Sequence, residues 1–98
     1  MSDDLIPFDM AVLLDSDEAI SEYLSQVLSD GDTDEVLRAL GHVARAKGMS
    51  QVASESGLGR ESLYKALSPG AKPRFDTVFK VIRALGIDLL AQPHAAIR

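Results

Sequence analysis

The sequence lacks cysteine, which excludes disulfides and thiolate metal sites as supports of the fold and gives no sign of an oxidising compartment. It also lacks long apolar runs: the run at 11–14 falls far short of the roughly 20 residues that span a bilayer. The opening Met-Ser-Asp-Asp has no basic start of a secretory signal. We therefore expect a soluble, cytoplasmic protein with no membrane partner.

Residues 1–35 lack Lys and Arg altogether and carry eleven acids, a charge of −11, whereas residues 36–98 carry ten bases against four acids, a charge of +6. This asymmetry favours two partners, nucleic acid for the basic part and a cationic molecule for the acidic part. The alternative is that the acidic part keeps a small protein soluble and limits stray DNA binding. The sequence leaves both open.

The 98 residues fit one small domain whose helices share a core, with or without dimerisation. Apolar residues recur at helical spacing in five segments, which predicts helices at about 16–29, 33–47, 49–56, 60–67 and 76–85. Asp15 with Glu18, and Asp32 with Glu35, resemble capping boxes at the first two helix starts. We expect Asp76 to cap the last helix and Phe75 to pack against its start.

The remaining segments have weaker patterns. Residues 7–14 are expected to pack as a turn or short helix, residues 68–73 to form a loop, and residues 87–89 to form a short strand or an extended arm across a dimer. The predicted class is all-α, with five helices. Residues 1–32 form an acidic N-terminal helical extension, 33–90 the helix-turn-helix domain, and 91–98 a loosely ordered tail.

The segment at 49–67 reads MSQVASESGLGRESLYKAL, which is typical of a helix-turn-helix. Gly57 stands where the chain must reverse without a Cβ penalty. The inward positions are Val52, Ala53, Leu58, Leu63, Ala66 and Leu67. The outward positions of the second helix are Arg60, Glu61, Ser62, Tyr64 and Lys65, and they are the candidate residues for reading a major groove.

Each outward residue has a chemistry that suits DNA. Arg60 can fork onto guanine O6 and N7, and Lys65 can reach a base or phosphate; the alternative is an ordinary solvated helix face. Glu61 can accept from a cytosine amine or pair with Lys65. Ser62 and Tyr64 offer hydroxyls, although Tyr64 can equally pack against the following loop.

Three further residues are candidates for contacts to the DNA backbone: Gln51 near the first motif helix, and Lys72 and Arg74 in the following loop. Lys80 and Arg83 are expected on a solvated face. His42 and His94 have no metal-ligand spacing, and Gly57 to Gly59 lack the strand and lysine of a phosphate loop. We therefore expect no enzyme activity, no cofactor and no metal.

The chain from Gly48 to Ile87, which reads GMSQVASESGLGRESLYKALSPGAKPRFDTVFKVIRALGI, resembles the Cro/repressor-type helix-turn-helix domain. With the upstream Phe-Asp, Asp-Ser-Asp-Glu-Ala-Ile and Asp-Gly-Asp stretches, it resembles the HigA-like antitoxins of bacterial addiction modules. It departs from Cro-type domains at Gly48 and Met49, where Ser or Thr with Gln is common. It departs again at Gly59, where a capping Ser or Thr is common.

The resemblance implies an all-helical antitoxin that binds double-stranded operator DNA as a homodimer, represses its operon and neutralises a small basic RelE/HigB-like toxin. For such a partner, we expect acids of the N-terminal part to steer association. The candidates are Asp15, Asp17, Glu18 and Glu22. Two alternatives remain, a stand-alone Cro-like repressor and a helical protein-binding adaptor.

Overall fold

The computed structural model describes residues 16–94, which form five helices. They are α1 (Asp17–Asp30), α2 (Thr33–Lys47), α3 (Met49–Ser56), α4 (Arg60–Ala66) and α5 (Phe75–Ala84). The all-helical class is thereby confirmed. Of the two alternatives for residues 87–89, the short strand is wrong, because that segment is irregular and residues 16–94 contain no strand. The extended arm across a dimer stays a prediction. The predictions for residues 7–14 and for residues 95–98 lie outside the described residues.

The first two helices begin at side-chain caps. The hydroxyl of Ser16 accepts from the amide of Ala19 at 3.1 Å, so the prediction that Asp15 caps α1 is wrong by one residue; Asp15 itself lies outside the described residues. Ser16 has the extended backbone, φ −126° and ψ 157°, that lets a cap reach the third amide of a helix. The cap of α2 is confirmed, because Asp32 Oδ1 accepts from the amides of the second and third helical residues.

The start of α5 differs from the prediction. The N-cap is Arg74, which makes no side-chain cap, and Asp76 is the second residue of the helix. Its carboxylate accepts from Arg74 Nε at 3.1 Å and carries the negative charge that the first turn of a helix favours. Phe75 does not pack into the core: it is 72% exposed and stacks on Phe79 with the ring centroids 5.8 Å apart.

The core lies around α2, which packs against α1 on one side and α3 on the other, while α3 also packs against α4 and α5. The largest side chains that are fully buried are Leu40, Leu63, Leu85, Val43, Val52 and Val81. Ile20 and Leu24 of α1 belong to the same cluster. Helix α1 therefore shares one core with α2 to α5. Over residues 16–94, no helix has the length and apolar content that crossing a bilayer requires.

Candidate nucleic-acid interface

Helices α3 and α4 are joined by a tight turn at residues 57–59. Gly57 has φ +82°, the left-handed conformation that glycine adopts without a Cβ penalty, and this confirms the prediction for that residue. Buried Ser56 fixes the turn from within, because its hydroxyl donates to the carbonyl of Ala53 at 3.2 Å and accepts from the amide of Leu58 at 3.3 Å. The turn therefore holds the two helices at a defined angle.

Helix α4 is short and is held by one buried side chain. Leu63 is its only buried residue and has no solvent exposure, and Leu67 follows the helix as a second buried anchor. Gly59 precedes the helix in an extended conformation without a side-chain cap, as its departure from the Cro-type pattern predicts. The predicted outward residues Arg60, Glu61, Ser62, Tyr64 and Lys65 are all exposed.

The side chains on this exposed face interact only weakly with one another. Arg60 Nη2 lies 3.5 Å from the Tyr64 hydroxyl, and its guanidinium carbon lies 5.8 Å from the ring centroid. Tyr64 is 40% exposed, so part of its side chain packs against the protein and part faces solvent. Glu61 and Lys65 form no ion pair with each other or with any other described residue. The polar groups of α4 are thus available to a ligand.

The three residues predicted to contact the DNA backbone are exposed, but they differ in their contacts within the protein. Gln51 Nε2 donates to Glu55 at 3.2 Å, and Arg74 is paired with Asp76. Lys72 lies in the loop between α4 and α5 with φ +56°, a conformation that is costly for a residue with a side chain.

The loop that carries Lys72 is tied to the helices at two points. The Ser68 hydroxyl donates to the carbonyl of Tyr64 at 2.9 Å, and the amide of Gly70 donates to Asp34 Oδ1 at 2.8 Å. The second bond joins the loop to the first turn of α2, far away in sequence. The loop is therefore positioned beside α4.

A cleft of about 330 Å³ lies between α2 and the end of α4. Its lining includes three cationic side chains, Arg38, Arg45 and Lys65, and the backbone of Gly41. Arg38 and Arg45 are not among the site residues that the sequence predicted. A signal was present, because Arg38, Gly41 and Arg45 are spaced by three and four residues and so share one face of α2.

The two arginines on this face of α2 also affect the pKa of His42. Burial lowers the pKa of His42 below its usual 6.5, and the charges of Arg45 and Arg38 lower it further, against a small opposing effect of Glu35. A histidine whose folded-state pKa is depressed binds fewer protons folded than unfolded at pH below 6.5. The titration of His42 therefore leaves the free energy of unfolding unchanged above pH 6.5 and lowers it as the pH falls toward the folded-state pKa.

We expect the free energy of unfolding to fall between pH 7.5 and pH 5.5, and His42→Gln to make that fall smaller because the titrating group is gone. Urea unfolding of both proteins at the two pH values measures this difference. An equal fall in both proteins would contradict the expectation. Titration of the His42 ring by NMR gives the direction of its pKa independently.

The toxin-binding candidates within the described residues lie on α1. Asp17, Glu18 and Glu22 are exposed, and α1 contains no base. Asp17 lies 3.6 Å from Lys47 of α2 in an exposed ion pair, which contributes little stability. The acidic face of α1 is thus largely unneutralised. In the part of the chain that the structure covers, no group of three or more His, Asp or Glu residues is placed to hold a metal ion.

Comparison with known proteins extends over most of the chain. A family model described as "Probable addiction module antidote protein" matches residues 4–93. An uncharacterized protein of Haemophilus influenzae is 45% identical over 92 residues, which cover 94% of this chain and 95% of the relative. No solved structure matches.

Proposed function

The chain belongs to the family of probable addiction module antidote proteins, and on that premise we propose that it is the HigA-like antitoxin of a type II toxin–antitoxin module. In this proposal, a homodimer binds operator DNA through a Cro/repressor-type helix-turn-helix made of α3 and α4. The dimer represses its own operon. The same protein neutralises a small basic toxin of the RelE/HigB type, and it acts by binding and not by catalysis.

The observation that carries the DNA-binding part is the exposed face of α4. Five polar side chains project from a helix that is fixed by buried Leu63 and by the turn at Gly57. The major groove of B-DNA admits an α-helix and presents hydrogen-bonding groups that distinguish the four base pairs. Arg60 supplies a fork suited to guanine, while Glu61, Ser62, Tyr64 and Lys65 supply further donors and acceptors.

Other exposed groups are candidates for contacts to the DNA backbone. Lys72 is carried by the loop that is bonded to α4 and α2, and Gln51 is exposed on α3. Contacts to phosphates fix the register of a protein on the duplex without reading its sequence. Two copies would place one α4 in each half-site, about 34 Å apart along the DNA.

The acidic face of α1 supports the toxin part of the proposal. A ribonuclease-type toxin needs a basic surface to bind RNA, and Glu18 and Glu22, spaced by four residues, project from one side of α1. Opposite charges speed diffusional encounter and fix orientation. The acids Asp15, Asp17, Glu18 and Glu22 therefore remain the candidate toxin-binding residues.

The test is a mobility-shift assay on the DNA upstream of the gene, with and without the small basic protein encoded beside it. We expect binding that weakens as salt is added, together with a complex of the two proteins that survives copurification. DNA binding without a complex would favour the stand-alone repressor. A complex without DNA binding would favour the protein-binding adaptor.

The double variant Glu18→Lys/Glu22→Lys tests the role of α1. We expect association with the toxin to slow by on the order of tenfold at low salt and to depend less on salt, because steering charges are reversed. Asp88→Lys, an exposed acid outside α1, is the control. Equal rates for the double variant and the control would remove α1 from the toxin interface.

A further inference from the structure

We propose that the cleft formed by Arg38, Gly41, Arg45 and Lys65 is a phosphate-binding site, which holds a phosphodiester group of the bound duplex. This inference rests on the proposed DNA binding and adds α2 to the surface that contacts DNA. It assigns to Arg38 and Arg45 a positioning contact that is independent of base sequence.

The cleft is large enough to admit a phosphate group, and cationic residues line it. Its volume is about 330 Å³, and Arg38, Arg45, Lys65 and Ser68 are among its lining residues. Arginine presents a planar fork of donors that matches phosphate oxygens. Two of the cations come from α2 and the third from α4.

The positive charge in the cleft is only partly neutralised by the described residues. Arg38 Nη1 pairs with Glu35 at 2.9 Å, which leaves its other donors for a ligand. Arg45 and Lys65 take part in no ion pair among residues 16–94. The same charges act on His42: burial lowers its pKa most, and Arg45 and Arg38 lower it further.

Gly41 lies under the guanidinium of Arg45. A Cβ added at Gly41 would lie 3.4 Å from Arg45 Nη1, which is ordinary van der Waals contact. The position of the Arg45 guanidinium therefore does not depend on the glycine.

The position of the cleft also fits a backbone phosphate. Tyr64 and Lys65 belong both to its lining and to the exposed face of α4. A helix inserted into the major groove brings its flanks close to the phosphates on either side. The cleft is thus adjacent to the proposed reading face, on the side toward α2.

The test measures the affinity of the full chain for its upstream DNA and for an unrelated duplex of equal length, over a range of salt concentrations. We expect Arg45→Ala and Arg38→Ala each to weaken both complexes by about three- to tenfold, and to reduce the slope of log affinity against log salt by about one. Arg45→Lys should keep the slope. The control is Arg83→Ala, which removes an exposed arginine lining a separate cleft on α5.

Thermal melting separates binding from folding. We expect Arg38→Ala and Arg45→Ala to keep the thermal midpoint of the parent, because both residues are exposed. Unchanged affinity and slope in both variants would overturn the phosphate site and leave the proposed DNA binding intact. An equal loss in Arg83→Ala would also overturn it, because the effect would then be one of overall charge. A parent protein that binds neither duplex would end both proposals.

Discussion

Arg60→Ala is expected to weaken binding to the upstream DNA by about 1–3 kcal/mol, or roughly five- to 150-fold. Arg60 is the first residue of α4 and is exposed, which places its guanidinium where a recognition helix enters the groove. Its contacts with Tyr64 are long, 3.5 Å to the hydroxyl and 5.8 Å to the ring. Losing these two contacts costs little free energy when Arg60 turns to bind a guanine.

A competition assay distinguishes base reading from simple charge loss. The loss in Arg60→Ala should be large on the upstream DNA and small on an unrelated duplex, and Arg60→Lys should recover charge without recovering specificity. The thermal midpoint should not move, because the side chain contributes nothing to the core. An unchanged affinity for the upstream DNA would remove α4 as the reading helix.

Leu63→Ala is expected to lower the free energy of unfolding by about 2–5 kcal/mol, the cost of a cavity at a fully buried leucine. The seven residues of α4 are too few to form a stable helix in isolation. Leu63 is the side chain that holds them against the core. Its truncation therefore weakens both the fold and the orientation of the residues proposed to read DNA.

Urea unfolding followed by circular dichroism measures this loss, and Ser62→Ala is the matched control. Ser62 is the exposed neighbour of Leu63 on the same helix, so its replacement should change stability by less than about 0.5 kcal/mol. Near-equal stability of Leu63→Ala and the parent would show that α4 is not anchored through Leu63.

The helix bounds that the sequence predicted best are those with strong local end signals. Helix α2 lies where predicted because Asp32 caps its start and Gly48 ends it. The turn after α3 was also predictable from local sequence, because it requires a positive φ and Gly57 supplies it. The exposure of Arg60 and its four partners on α4 also followed from spacing, since the stripe of Leu63 and Leu67 fixes the opposite face.

The sequence was less informative where two neighbouring residues could serve the same purpose. Asp15 and Ser16 are both good caps, and spacing alone does not choose between adjacent candidates. Asp76 suits a cap and a first-turn position equally, and only the backbone places the helix start at Phe75. The cleft could not be predicted, because only the folded chain brings Lys65 of α4 to the same cleft as Arg38 and Arg45 of α2.

Ile20 and Leu24 anchor α1 in the hydrophobic cluster that also contains Leu63. Helices α1 and α4 therefore share one hydrophobic core. Under the proposed function, in which α1 binds the toxin and α4 binds DNA, a toxin that displaced α1 would expose the apolar residues of α2 that α1 covers. It would thereby weaken the packing of the helices that are proposed to bind DNA.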